Sequence, residues 1–90
     1  MINVKICVYG LVQGVGFRYC TKIVADQLEI AGIVRNQNDG SVYIEAQGTI
    51  TQVKKFIAKI KDSPTPSGRV ERITVKELPV KEYHGFKVTY

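Results

Sequence analysis

From Asn3 to Tyr9 apolar and polar positions alternate, with Val4, Ile6 and Val8 on one side and Asn3, Lys5, Cys7 and Tyr9 on the other. A period of two marks a half-buried strand. Beyond a glycine-punctuated stretch, Cys20, Ile23, Val24, Gln27, Leu28 and Ala31 recur at steps of three and four, which predicts an amphipathic helix with Gly32 as its stop. Ile33 to Asn36 and Ser41 to Gln47 read as two short strands joined through Asn38-Asp39-Gly40, with Val42, Ile44 and Ala46 inward and Tyr43 and Glu45 outward. Thr49 and Gln52 form a capping box, and Val53, Phe56, Ile57 and Ile60 continue it as the stripe of a second helix. Ser63-Pro64-Thr65-Pro66-Ser67-Gly68 cannot extend that helix, because proline lacks the N–H donor and fixes its own φ. A β-rich run follows from Val70 to Leu78, with Val70 out of step with Ile73 and Val75, which predicts a bulge or a late strand start. Phe86, Val88 and Tyr90 alternate with Lys87 and Thr89 in a last strand.

The order is β-α-β-β-α-β, with room for a further short strand at the end. Each strand has one apolar face and each helix one apolar stripe, so the economical packing is a single antiparallel sheet covered on one face by two helices. That is an α+β fold, the ferredoxin-like sandwich, expected as one domain over residues 1–90. It hosts many functions, so function has to be read from a site.

Ninety residues allow one sheet and one helical layer, with roughly 60–65% of the unfolded surface buried and little insulation for a deep cofactor cavity. No apolar run approaches the roughly 18 residues of a membrane helix, and the start Met1-Ile2-Asn3-Val4-Lys5 lacks the parts of a secretory signal, so the expected address is cytosolic. Cys7 and Cys20 are too few for a disulfide scaffold and, with one histidine, for a structural zinc site. They are assigned to opposite layers, Cys7 to the outer face of the sheet and Cys20 to the stripe of the first helix. A net charge of +5 favours anionic partners without choosing among them.

The chemistry sits in Gly10-Leu11-Val12-Gln13-Gly14-Val15-Gly16-Phe17-Arg18, between the first strand and the first helix. Its glycines permit positive φ and let successive N–H groups point into one concavity, to which the helix adds unpaired donors and the positive end of its dipole. Arg18 supplies a planar fork that can hold two oxygens of a phosphate. A small tetrahedral oxyanion is the natural ligand of such a cradle; by spacing alone, the same residues also read as a tight connection with an exposed arginine.

Val8-Tyr9-Gly10-Leu11-Val12-Gln13-Gly14-Val15-Gly16-Phe17-Arg18 resembles the first signature of the acylphosphatases, and Gly32-Ile33-Val34-Arg35-Asn36-Gln37-Asn38-Asp39-Gly40-Ser41-Val42, followed by Gly48, resembles the second. Length and element order match that family along the whole chain. The resemblance implies hydrolysis of carboxyl-phosphate anhydrides, with inorganic phosphate as product and inhibitor. Arg18 becomes the phosphate ligand, Asn36 the residue that positions the attacking water, and Gln13, Gly14, Val15, Gly16 and Phe17 the donors of backbone N–H groups. No metal or cofactor is called for, since an acyl phosphate expels a carboxylate of low pKa and needs mainly charge neutralisation and an aimed water. Three positions depart from the family: Ile33 replaces a usual aromatic, Glu29 a usual glycine, and Ser63 to Gly68 is a variant of a Gly-Pro loop.

Other candidates carry less. Cys20 follows Arg18, whereas a cysteine phosphatase needs its thiolate before the arginine. His84 lacks a partner at ligand spacing and reads as a surface-loop residue, Asp39 as turn chemistry, and Lys54, Lys55, Lys59 and Lys61 as a solvated helix face. Arg35 is expected to point across its strand from Asn36. The alternative function is a nucleic-acid-binding module that stacks bases on Tyr9 and Tyr43 of an open sheet face. Glu45 beside Tyr43, and the lack of a Lys/Arg-Gly-aromatic pattern, speak against it. A non-hydrolytic sensor of acyl or carbamoyl phosphate is a third reading. The expected partner is a small-molecule acyl phosphate, not nucleic acid or membrane, and the expected state is a monomer.

Overall fold

The alternating segment at the start of the chain lies inside a sheet of five strands. In a computed structural model describing Met1–Tyr90, the elements are β1 (Ile2–Leu11), α1 (Phe17–Gln27), β2 (Ala31–Asn36), β3 (Val42–Gly48), α2 (Ile50–Lys61), β4 (Arg69–Leu78) and β5 (Phe86–Val88). Their order in the sheet is β4-β1-β3-β2-β5. β1 pairs antiparallel with β3 and β4, and β2 with β3, but β5 runs parallel to β2. The sheet is therefore mixed, and the antiparallel expectation is corrected at its last strand, because the chain after β4 crosses the sheet before adding an edge.

Val4, Ile6, Val8, Val34, Val42, Ile44 and Ala46 form the inner face and pack with Val53, Phe56 and Ile60 of α2 and with Phe17 and Ala25 of α1. The Thr49–Gln52 capping box is present, with Gln52 N–H donating to Thr49 Oγ1 at 3.1 Å and Thr49 N–H to Gln52 Oε1 at 2.9 Å. The expected bulge lies between Tyr9 and Gly10, where the pairing steps from Arg72 to Val70.

α1 differs from expectation in phase and in its end. Its buried residues are Phe17, Thr21 and Ala25, supported by Val24 and Leu28, whereas Cys20 is only partly buried and Ile23 is 41% exposed. Phe17, buried at the first position, sets the phase. The helix stops at Gln27 rather than at Gly32. Ile30 N–H donates to Ala25 O at 2.8 Å and Glu29 N–H to Asp26 O at 3.3 Å, a Schellman closure with Glu29 in the left-handed conformation at φ 57°. Gly32 instead belongs to β2, where a Cβ would stand 1.8 Å from Glu45 O.

The outer face is not open either. Asn3, Glu45 and Gln47 point outward and are nevertheless buried, because Pro79 to Tyr83 straps over them on the way from the β4 edge to the β5 edge. Asn3 Nδ2 donates to Pro79 O at 3.1 Å and Tyr83 OH at 2.9 Å, and Gln47 exchanges two bonds with the Lys81 backbone at 2.8 and 2.9 Å. Glu45 accepts from Tyr83 OH at 2.6 Å, Tyr43 OH at 2.7 Å and Lys81 Nζ at 3.1 Å. Burial pushes the Glu45 carboxyl up, but hydrogen bonds from Tyr83, Tyr43 and Lys81 outweigh it and leave its pKa below the usual value. Burial and the same carboxylate push the Tyr83 phenol up to about 12, so it remains a donor at neutral pH.

Two outcomes follow for stability. A left-handed non-glycine residue costs roughly 1 kcal/mol, partly offset by the larger unfolded-state entropy of glycine, so Glu29→Gly raises the melting temperature by about 2–6 °C in calorimetry; a fall would contradict the strain. Because the folded-state pKa of Glu45 is depressed, its contribution is complete above the unfolded carboxylate pKa and is lost as pH falls through the folded value. Glu45→Gln is thus less stable than the parent at pH 7 and shows a shallower loss of melting temperature from pH 5 to 3; parallel curves would remove Glu45 from acid unfolding.

Candidate active site

The loop between β1 and α1 is pinned at both ends by apolar burial, with Val12 1% exposed and Phe17 2% exposed. Between them Gly14 and Gly16 take φ 75° and 76°, a region that costs other residues strain. Gly16 caps α1 without any side-chain bond, and no backbone N–H from Gln13 to Tyr19 finds an acceptor within the protein. Thr65, buried in the turn after α2, donates from Oγ1 to Val15 O at 3.1 Å and so braces the loop from behind. The result is a concave run of donors at a helix N-terminus, where partial positive charge concentrates.

Arg18 stands beside this run. Its Nη1 donates to Thr89 O at 3.1 Å, and its Cζ lies 4.6 Å from the centroid of the Tyr90 ring, so the guanidinium is anchored with most of its donors free. Asn36 is the last residue of β2, paired with Val42, and its buried Oδ1 has no hydrogen-bond partner within the protein. It is one of three buried side-chain polar atoms without a partner, with Asn3 Oδ1 and Thr21 Oγ1, and what sets Asn36 apart is that the residue borders the same pocket as Arg18. β5 joins the two sides: Thr89 N–H donates to Val34 O at 2.8 Å while Thr89 O receives Arg18.

Gly14, Gly16, Phe17, Arg18 and Asn36 border one pocket of about 470 Å³, completed by Val12, Tyr19, Lys22, Val88 and Tyr90. Its charged side chains are those of Arg18 and Lys22, with no acidic side chain among the lining residues. Lys22 is tied to Asp26 at 2.9 Å and to Phe86 O at 3.1 Å. Two of the residues expected to give backbone N–H groups here, Gln13 and Val15, are not among those that line the pocket. Val15 packs against the core, and Gln13 turns its side chain to the β2–β3 hairpin, where Nε2 donates to Gln37 O at 2.7 Å and Ser41 O at 2.9 Å.

Thr65, Lys22, Val88, Thr89 and Tyr90 were not singled out by sequence. Only Thr65 leaves a signal, a lone hydroxyl between two prolines; the others meet the loop through long-range packing. The surface readings of His84 and of the lysines of α2 agree with their exposure. Arg35 does point away from Asn36, with its Cζ 4.6 Å over the Tyr43 ring. Tyr9 is likewise covered by Arg72 at 4.0 Å, and Tyr43 OH is engaged by Glu45, so the rings expected to form a stacking platform are occupied.

A small pocket with a guanidinium, free amides, an asparagine and no acidic side chain is suited to a phosphoryl group and a water. The acylphosphatase family model matches residues 4–88. The acylphosphatase of Ligilactobacillus salivarius is 57% identical over 90 residues, covering 100% of both chains, and that of Enterococcus faecalis is 52% identical over 89 residues, covering 98% of both. The crystal structure of acylphosphatase from Bacillus subtilis superposes with a TM-score of 0.95 at 38% identity, covering 100% of both chains. The cradle, the fold and the sequence match converge, and the chain belongs to the acylphosphatase family, hydrolases that act on the acid anhydride of acyl phosphates.

Proposed function

We propose that the pocket cleaves the carboxyl-phosphate bond by in-line attack of a water on a phosphoryl group held by Arg18 and the loop amides. In the transition state, negative charge spreads over the equatorial phosphoryl oxygens. The N–H groups of Gly14, Val15, Gly16 and Phe17 and the fork of Arg18 neutralise those oxygens from donors already in place, so little reorganisation accompanies the reaction. Tyr90 and Thr89 O keep the guanidinium from swinging into solvent. The Asn36 side-chain amide hydrogen-bonds the attacking water and so orients a lone pair toward phosphorus. The leaving carboxylate is a weak base and departs without a general acid. No acidic or imidazole side chain lines the pocket, and the proton released by the water passes to a phosphoryl oxygen.

The observation that carries this reading is the convergence of Asn36, the unpaired loop amides and Arg18 on one pocket. The physiological acyl group is proposed to extend toward Tyr19 and Val88 at the pocket rim, and inorganic phosphate, as product, to compete for the cradle.

Turnover of an aryl acyl phosphate, measured with a chelator present, tests the assignment. Arg18→Ala loses about 10³-fold or more in kcat/KM and no longer binds phosphate, on the scale of a lost oxyanion donor. Asn36→Ala loses about 10²-fold in kcat while its inhibition constant for phosphate stays within about twofold. An Asn36→Ala enzyme with unaltered kcat would end the water-positioning role, and phosphate binding by Arg18→Ala with parental affinity would end the ligand role.

A further inference from the structure

Both hydrogens of the Gln13 side-chain amide are committed to the hairpin, one to Gln37 O at 2.7 Å and one to Ser41 O at 2.9 Å. Since both partners are carbonyls, only the amide nitrogen can face them, which fixes the orientation of the group. These carbonyls also close the hairpin itself: Gln37 N–H donates to Ser41 O at 2.8 Å, and Gly40 N–H to Gln37 O at 3.2 Å. Gln37 follows Asn36 directly, and Ser41 precedes Val42, the strand partner of Asn36. The phosphate loop and the strand end that carries Asn36 come from different elements, and neither Arg18 nor the loop amides contact Asn36 by hydrogen bond. A side chain that starts the loop and ends on both carbonyls at the mouth of the hairpin ties loop and strand end directly, on the side opposite the link that Thr89 makes from Arg18 to Val34.

From this geometry we infer that Gln13 is a positioning residue that sets the distance between the phosphate cradle and Asn36, and hence the aim of the attacking water. Its side chain has no donor left for the substrate, so its effect falls on the chemical step and not on the grip on phosphate. The inference rests on the water-positioning role of Asn36 and goes beyond it by naming what holds Asn36 in register with the cradle. Misplacing a reacting group by a fraction of an ångström is enough to slow an oriented reaction severalfold.

The test is a double-mutant cycle on an aryl acyl phosphate, with inhibition by inorganic phosphate measured alongside. Gln13→Met keeps length and removes both donors; Gln13→Asn is shorter, keeps a polar amide against the carbonyls and leaves the fold in place should the methionine variant unfold. Each is expected to lower kcat about 5- to 20-fold with KM and the phosphate inhibition constant within about twofold of the parent. In the Asn36→Ala background the same changes cost less than about twofold, because the residue they act through is gone. The side-chain amide resonances of Asn36 shift in both variants.

Equal losses of kcat in the two backgrounds would overturn the inference, because Gln13 would then act independently of Asn36. A rise in KM and in the phosphate constant with kcat retained would overturn it as well, assigning Gln13 to the cradle. If Asn36→Ala alone leaves kcat unaltered, it is the water-positioning reading that fails, and the cycle separates that outcome from a failure of the Gln13 tie.

Discussion

The structure turns on a row of backbone amides that the protein leaves without acceptors. From Gln13 to Tyr19 the chain passes from strand to helix while making no internal bond with its N–H groups, and the adjacent guanidinium adds full positive charge. Unpaired donors are tolerable here because the loop is at the surface, and they are useful because a helix N-terminus and an arginine reinforce the same potential. In water such donors are solvated. In the reaction proposed for them they face a phosphoryl group together, from positions already set. The left-handed backbone at Gly14 and Gly16, and the burial of Val12 and Phe17 on either side, exist to hold that run open.

Around this constraint the rest of the molecule is bracing. Thr65 supports the loop from the α2–β4 turn, Gln13 ties it to the hairpin, and β5 links Arg18 to β2 through Thr89. The strap from Pro79 to Tyr83 belongs to the same scheme, since it is the path by which the chain reaches the far edge of the sheet. The buried polar network of Asn3, Glu45, Gln47 and Tyr83 gives that path one position across an otherwise flat face. The reaction proposed for this pocket asks for charge neutralisation and an aimed water, and so for a scaffold that supplies rigidity.

How far the sequence could be read depended on the range of the forces involved. β1 and α2 were legible because one face of each is buried continuously, so alternation and the Val53–Phe56–Ile60 stripe report directly on packing, and the capping box is local. α1 was mis-phased because its strongest anchor, Phe17, sits at its first position, next to the glycines that were read as loop. Its end was mis-set because Glu29 adopts a conformation that usually announces itself with glycine. Three residues of β5 cannot reveal by pattern that they pair parallel with β2, nor can Asn3 or Glu45 show that a strap will cover them. In the site, Arg18, Asn36 and the glycine loop stood out as motifs, whereas the directions of the Gln13 and Thr65 side chains are set by partners 24 and 50 residues away.

The most direct measurement of the central claim is a phosphate titration followed by amide and guanidinium NMR. The account predicts saturable downfield shifts confined to the backbone N–H groups of Gly14 to Tyr19 and to the side chain of Arg18, with the outer sheet face unmoved. Saturation that left those amides in place, or whose largest shifts fell on Arg35 and Arg72, would contradict it.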